Sequence, residues 1–182
     1  AYQGEVTTPS RCGRMDQGCA YGERPIRMTF DGDRIDVDEL AVGGDIHMVV
    51  VDLHAAKDTR EILNRLNHCY PFAEDETARR VQRYLGEMNL ETVGEAVRLL
   101  RSGDAAGLGA LMRRVQELFD AHVAPACPAQ LTAPALHRLL NHPPLQPLIF
   151  GGKGVGSQGD GSAQLIARDA AVQKEIIRVL AR

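Results

Sequence analysis

Residues 145–167 read LQPLIFGGKGVGSQGDGSAQLIA, and the order of apolar segment, glycine-rich run and apolar segment decides the fold. LQPLIF (145–150) and AQLIA (163–167) are short apolar runs bounded by turn residues, the pattern of strands. Between them, six glycines fall in the eleven positions 151–161. Glycine permits positive φ and lets backbone N–H groups approach an anion closely. Lys153 adds a point charge suited to phosphate. The run is not a Walker-type loop, because no Gly-Lys-Ser/Thr follows a four-residue spacer and no helix opens directly after it. It also lacks the GxGxxG-then-helix order, which disfavours a dinucleotide fold. Two readings remain: a tight strand connection, or an anion cradle.

Outward from this run, the patterning alternates between the two periods. Downstream, Val172, Ile176, Val179 and Leu180 predict a terminal helix. Upstream, Leu108, Leu111, Met112, Val115, Leu118, Phe119 and His122 share one helical face, read as core packing. Pro125-Ala126-Cys127-Pro128 connects it to a short helix from Thr132, with Pro134 in its first turn. Ser102-Gly103-Asp104 breaks an earlier helical pattern that runs from Val81 through Leu100. Asp58 predicts a helix start, with Glu61 as its capping-box partner, and Glu74-Asp75-Glu76 opens the next helix after Pro71.

Further upstream, Ile46–Leu53 is nearly continuous and rich in Val, which predicts a central strand covered on both faces. His47 and Asp52 at its ends read as strand-end polar residues. IRMTF (26–30) and RIDVD (34–38) flank Asp31-Gly32-Asp33 and predict a hairpin. Strands towards the two ends with helices between them imply an α+β sandwich.

Composition sets the outer limits. The chain has 182 residues, 44% hydrophobic and 25% charged, with a formal charge of −3. That suits one domain, or one and a half, with a real core. A pI near 6.1 without a basic block gives no reason to expect nucleic acid. No apolar run approaches the roughly 20 residues that span a bilayer. Cys12, Cys19, Cys69 and Cys127 form no CxxC pair and no finger-like spacing with His, so the expectation is reduced, mostly buried thiols in a cytoplasmic protein. The Arg79-Arg80-Arg83 and Arg113-Arg114 clusters read as solvated helix faces. The opening AYQGEVTTPS carries no basic or apolar leader pattern, and the first motif arrives within a dozen residues, so the chain reads as the C-terminal part of a longer protein.

That motif is Thr8-Pro9-Ser10-Arg11-Cys12-Gly13-Arg14-Met15-Asp16-Gln17. With the glycine run it resembles the GHMP family of small-molecule kinases, in its galactokinase and glucuronokinase-like branch. Gly13-Arg14-Met15-Asp16-Gln17 matches the Gly-x-Met-Asp-Gln pattern around that branch's catalytic aspartate. The segment from Lys153 to Gly161 aligns with the family's third motif, a Lys followed by a glycine-rich loop. The likeness covers most of the chain, although about twenty residues carry sharp motif information. Three positions depart from the pattern: Val155 replaces a Ser, and Gln158 and Asp160 replace glycines. Asp160 puts a carboxylate where phosphates are expected, a repulsion that calls for a partner.

The resemblance implies an α+β fold of the GHMP-kinase C-terminal type, with an antiparallel sheet packed against a block of helices. Residues 1–40 would be a remnant of the N-terminal half, holding the aspartate motif and the hairpin, and 41–182 the C-terminal domain. It implies an ATP- and Mg²⁺-dependent transferase acting on a sugar or sugar-acid hydroxyl, by analogy the anomeric one. Asp16 would be the base and Arg14 its neighbour in catalysis. Lys153, Gly154, Gly156, Ser157, Gly159, Asp160 and Gly161 would bind phosphate or substrate, and Lys57, Asp58 and Thr59 would lie near the substrate. Asp58 also has a purely structural reading as a helix cap. The family's ATP loop and metal-binding acid precede the aspartate motif, so this chain supplies no metal site and is expected to be inactive alone. The partners are then a small sugar or sugar acid and ATP, with self-association through an exposed apolar face. A non-catalytic sugar-sensing or small-anion-binding α+β module is the alternative.

Overall fold

A computed structural model describes Thr7, Gly18 and residues 22–181. Cys12, Arg14, Asp16 and Cys19 lie outside the described residues.

The hairpin forms as its sequence predicts. Strand β1 (Ile26–Asp31) pairs antiparallel with β2 (Arg34–Glu39), and Gly32 adopts φ +56°, the left-handed backbone that a two-residue hairpin turn needs. The two strands form a sheet of their own.

A second sheet of three antiparallel strands organises the rest, in the order β3 (Met48–Asp52), β5 (Ser162–Ala167), β4 (Ile149–Gly154). The Val-rich β3 is therefore an edge strand and not the expected central one. Val49 is buried on one face, while Val50 on the other is 67% exposed. The central place falls to β5, whose Ala163, Leu165 and Ile166 are fully buried. The strand expected at 145–150 is shifted as well. Pro143–Leu145 forms a 3-10 turn, and β4 takes in the first glycines of the run. The glycine-rich loop proper shrinks to Val155–Gly161.

Between β3 and β4 lies the helical block. Helix α1 (Thr59–Asn67) starts at Asp58, whose carboxylate accepts the N–H groups of Arg60 and Glu61 at 2.9 and 3.0 Å. Its capping box is closed indirectly. The Asp58 N–H donates to Oε1 of Gln130 (3.0 Å), and Nε2 of Gln130 donates to Glu61 (2.8 Å), so a distant glutamine bridges the expected partners. Helix α2 (Glu76–Arg83) is capped by Asp75 and runs through a π-helical turn, Tyr84–Met88, into α3 (Asn89–Ser102). Gly103 at φ +69° ends α3, and Asp104 caps α4 (Ala105–His122). Two short helices, α5 (Pro128–Leu131) and α6 (Pro134–Leu140), lead to β4, and α7 (Ala170–Leu180) follows β5.

Helices cover both faces of the sheet. On one face Val49, Leu165, Ala167 and Ile176 form a core with Leu145 and Ile149. On the other, Ile166 packs with Leu99, Leu108, Leu111, Met112 and Val115 of α3 and α4. Burying each such side chain contributes about 1.5–3 kcal/mol. Helix α4 lies directly on β4 where Gly109 meets Gly151. A Cβ on Gly109 would stand 2.6 Å from the carbonyl carbon of Phe150, and one on Gly151 would fall on the carbonyl of Gly109. This close approach is why position 151 of β4 is glycine.

Candidate functional site

The loop Val155–Gly161 is held at both ends and at its middle. At its base the Val155 N–H donates to Ser162 O (3.0 Å), and inside it the Gln158 N–H donates to Val155 O (3.0 Å). Gly156, Gln158 and Gly159 have φ of +60°, +62° and +70°. A glutamine in that region is strained, and burial of its side chain, 3% exposed, holds it there. The neighbouring strand joins in, because the Leu53 N–H donates to Gly161 O (3.1 Å).

Asp160 finds the partner that its charge requires. Its Oδ1 accepts the Leu136 N–H at 2.8 Å, in the first turn of α6. The residue at that helix's own cap position, Ala133, has no side chain able to accept a bond and sits at φ +43°. Asp160 thus caps a helix from a distant loop, and its carboxylate is stabilised by a helix N-terminus instead of by a cation.

Gly154 is tied to the fold in a similar way. Its N–H donates to Oε1 of the buried Gln116 at 2.8 Å, and Nε2 of Gln116 donates to Asp120 at 2.9 Å. Asp120 in turn faces Nε2 of His137 at 3.5 Å. The free donors lie further along. Among the described residues, the N–H groups of Gly156, Ser157, Gly159 and Asp160 have no acceptor, and the turn at Gly159–Asp160 brings the Gly161 N–H back towards Gln158 O.

The two lysines approach from opposite faces. In the register of the sheet Lys153 stands in one row with Gln164 and Val50, on the face against which α4 packs. Its ammonium donates to the carbonyl of Gly154 (2.6 Å), and burial lowers its pKa. Lys57 approaches from the side of α5 and α6. A Cβ on Gly161 would lie 3.0 Å from Cδ and 3.4 Å from Nζ of Lys57, and one on Gly159 would lie 2.9 Å from the carbonyl oxygen of Gln130. Burial lowers the pKa of Lys57 too. Asp58 is the N-cap of α1, and Thr59, half-buried, is the first residue of that helix. The structure therefore brings Lys57 against the loop that holds Gly156, Ser157, Gly159, Asp160 and Gly161, and sets Lys153 on the other face.

Gln116 and Gln130 escaped the sequence reading. For Gln116 a signal exists: it follows Met112 by four residues on the apolar face of α4, where a polar side chain needs a buried partner. For Gln130 none does, because its three contacts arise only when α5 packs beside α1. Cys69 and Cys127 are buried, free thiols with pKa values raised by burial. Among the described residues no group of three or more His, Cys, Asp or Glu side chains could hold a metal ion, and no helix is long and apolar enough to cross a membrane.

No family model matches the sequence, and no curated protein matches it. Solved structures do. The mevalonate kinase of L. major, in complex with R-mevalonate, matches 96% of this chain and 48% of its own at a TM-score of 0.64 and 19% identity. The galactokinase of Lactococcus lactis, complexed with galactose, matches 86% of this chain and 49% of its own at 0.55 and 14% identity. Both are GHMP-family kinases. The fold is that of half a GHMP kinase. The chain spans about half the length of the kinases it matches. The mevalonate kinase of methicillin-resistant Staphylococcus aureus matches 80% of this chain and 41% of its own, at a TM-score of 0.50 and 16% identity. At such identities the likeness establishes the GHMP-kinase fold, α+β with an antiparallel sheet against helices, as the motifs imply.

Proposed function

We propose that this chain is the C-terminal part of an ATP-dependent kinase that phosphorylates a hydroxyl of a sugar or sugar acid, the anomeric one by resemblance. The observation that supports it best is the loop Val155–Gly161, with four unpaired backbone N–H groups among the described residues, on a fold shared with half of two kinases. Such donors fit phosphate, whose oxygens only accept. ATP, when bound, supplies the phosphoryl group. The part assigned to this chain is to hold phosphate oxygens with the N–H groups of Gly156, Ser157, Gly159 and Asp160, in the loop that Gly161 ends, while Lys57, Asp58 and Thr59 border the acceptor. Asp16 takes the proton of the attacking hydroxyl and Arg14 steadies its charge. Mg²⁺, when bound, would share the neutralisation of phosphate charge with Lys57 and the backbone dipoles of the loop.

In this reading residues 1–40 belong with the N-terminal half of such a kinase and 41–182 form the C-terminal domain. The 182 residues alone are inactive. The exposed Met48 and Val50 on β3 are the apolar surface that would meet the other half, or a second copy in its absence. The setting is cytoplasmic.

The test is ADP release by the complete natural protein over a panel of hexoses and uronic acids. Turnover that depends on one of them, and is lost in Asp16→Asn with folding intact, supports the kinase. Tight sugar binding without ADP release would move the protein to the sensing module.

A further inference from the structure

We propose that His137 and Asp120 form a pH-sensitive latch, which closes a ring of contacts at the end of β4 and fixes the peptide of Gly154. The latch holds while His137 carries a proton and slackens when the proton leaves. Nothing in it requires a kinase, so it stands or falls apart from that reading.

The ring can be followed atom by atom. The Gly154 N–H, where β4 ends, donates to Oε1 of Gln116 at 2.8 Å. Nε2 of the same amide donates to Oδ1 of Asp120 at 2.9 Å, one turn further along α4. Oδ2 of Asp120 faces Nε2 of His137, on α6, at 3.5 Å. One residue earlier on α6 the Leu136 N–H donates to Oδ1 of Asp160 at 2.8 Å, which brings the ring back to the segment that follows Gly154. That segment is therefore tied to α4 at one end and to α6 at the other, and the His137–Asp120 pair joins those two helices.

Asp120 also decides which way the Gln116 amide points. Gln116 is buried, and its amide could turn either its oxygen or its nitrogen to Gly154. Only the oxygen can accept the Gly154 N–H. A carboxylate accepts and cannot donate, so Asp120 holds the NH₂ end and leaves the oxygen for Gly154. Asp120 is thus a positioning residue for the end of the strand.

The pair is the longest link in the ring and the one that senses pH. At 3.5 Å it lies beyond an ordinary N–H···O bond, so its attraction rests on charge. The two side chains are 34% and 32% exposed, open to protons from solvent. Histidine is the side chain whose charge ordinarily changes between pH 5 and 8. Tyr84, from the π-helical turn, has its pKa pushed up to about 12 by burial and then by the charge of Asp120, so its hydroxyl stays neutral through that range. The other charged groups around the ring are Asp160, on the Leu136 N–H, and Lys153, whose ammonium bonds the Gly154 carbonyl. Loss of the His137 proton removes the attraction across α4 and α6 and loosens the hold on Gln116.

Amide exchange and ¹H–¹⁵N NMR of the 182-residue chain between pH 5 and 8 test the latch, with rates corrected for intrinsic exchange. Protection of the Gly154 amide should fall by about two- to fivefold across that range, the worth of a partly exposed ion pair. The side-chain amide signals of Gln116 should shift with the same midpoint as the ring protons of His137. His137→Gln should show the lower protection at every pH, and His137→Lys, which keeps the charge, should hold the higher protection up to pH 8. Asp120→Asn should abolish the pH response at Gly154 while the ring of His137 still titrates. His142→Gln, beyond the end of α6, should leave the response unchanged. Protection that does not vary with pH, or that varies equally in His137→Gln, overturns the latch. An unchanged response in Asp120→Asn does the same. Should that variant fail to fold, the two His137 variants decide, because a side chain one-third exposed can be replaced without emptying the core.

Discussion

The first three glycines of the run 151–161 and the last three obey different physical demands. Gly151, Gly152 and Gly154 are buried in strand β4, where a side chain would meet α4 at 151, Leu165 and Leu140 at 152, and Gln158 and Leu136 at 154. Gly156 and Gly159 lie in the loop, where left-handed backbone favours glycine, and Gly161 ends it with the Lys57 side chain packed alongside. Similar residues at similar density thus serve packing in one half and left-handed turns in the other. The number of glycines in a motif is therefore no count of its ligand contacts.

The sharpest way to break this contrast is one methyl group in each half. Gly151→Ala should cost at least about 3 kcal/mol or prevent folding, because the clash is backbone against backbone and neither element can yield. Gly156→Ala has open space around it and should cost only the left-handed strain, about 1 kcal/mol. Thermal and urea unfolding measure both. Equal losses in the two variants would erase the distinction between packing glycines and loop glycines.

A smaller effect should follow from Gln116→Leu. Leucine keeps the volume but strands the buried Gly154 N–H, an unsatisfied donor worth about 2 kcal/mol. The loss should appear in the urea midpoint and in faster amide exchange at Gly154. If exchange at that amide stays slow, the hinge between the two halves of the run is held by something other than Gln116.

Much of this was legible in the chain, for physical reasons that differ by element. The hairpin at Asp31–Arg34, the cap at Asp58, the helix opening at Glu74–Glu76, the break at Ser102–Asp104 and the stripe on α4 are local, and local chemistry is written in consecutive residues. The edge position of β3 was not legible. A Val-rich run suits a strand covered on two faces, yet whether a helix covers the second face depends on elements a hundred residues away. The capping of α6 by Asp160 was hidden for the same reason: sequence shows an acid in a glycine loop, and only the fold shows the helix terminus it neutralises. The motif resemblance pointed to the right fold at an identity, 14–19% to the solved structures, where family models match nothing. The residues meant to carry catalysis, Arg14 and Asp16, lie outside the described residues, so the structure speaks to the loop alone.

The smallest effect sharpens the contrast between the two lysines. Burial lowers the pKa of Lys153 below its usual 10.5, so the unfolded chain binds this proton more readily than the folded one. Stability then rises with pH, from the lowered value up to 10.5, as the folded state is relieved of a buried charge. Lys153→Met keeps the length of the stem and removes the ammonium. It should stabilise the protein by about 1 kcal/mol at pH 7, as apolar replacements of buried charges do. The advantage should shrink as pH climbs towards 10.5, where the wild-type lysine is already neutral on folding. Melting temperatures of both proteins between pH 7 and 10 test the sign. A gain that persists undiminished at alkaline pH would trace to packing, not charge. A loss at pH 7 would mean that the bond from Lys153 to the Gly154 carbonyl outweighs desolvation, making Lys153 the clamp of the strand and leaving Lys57 as the charge beside the loop.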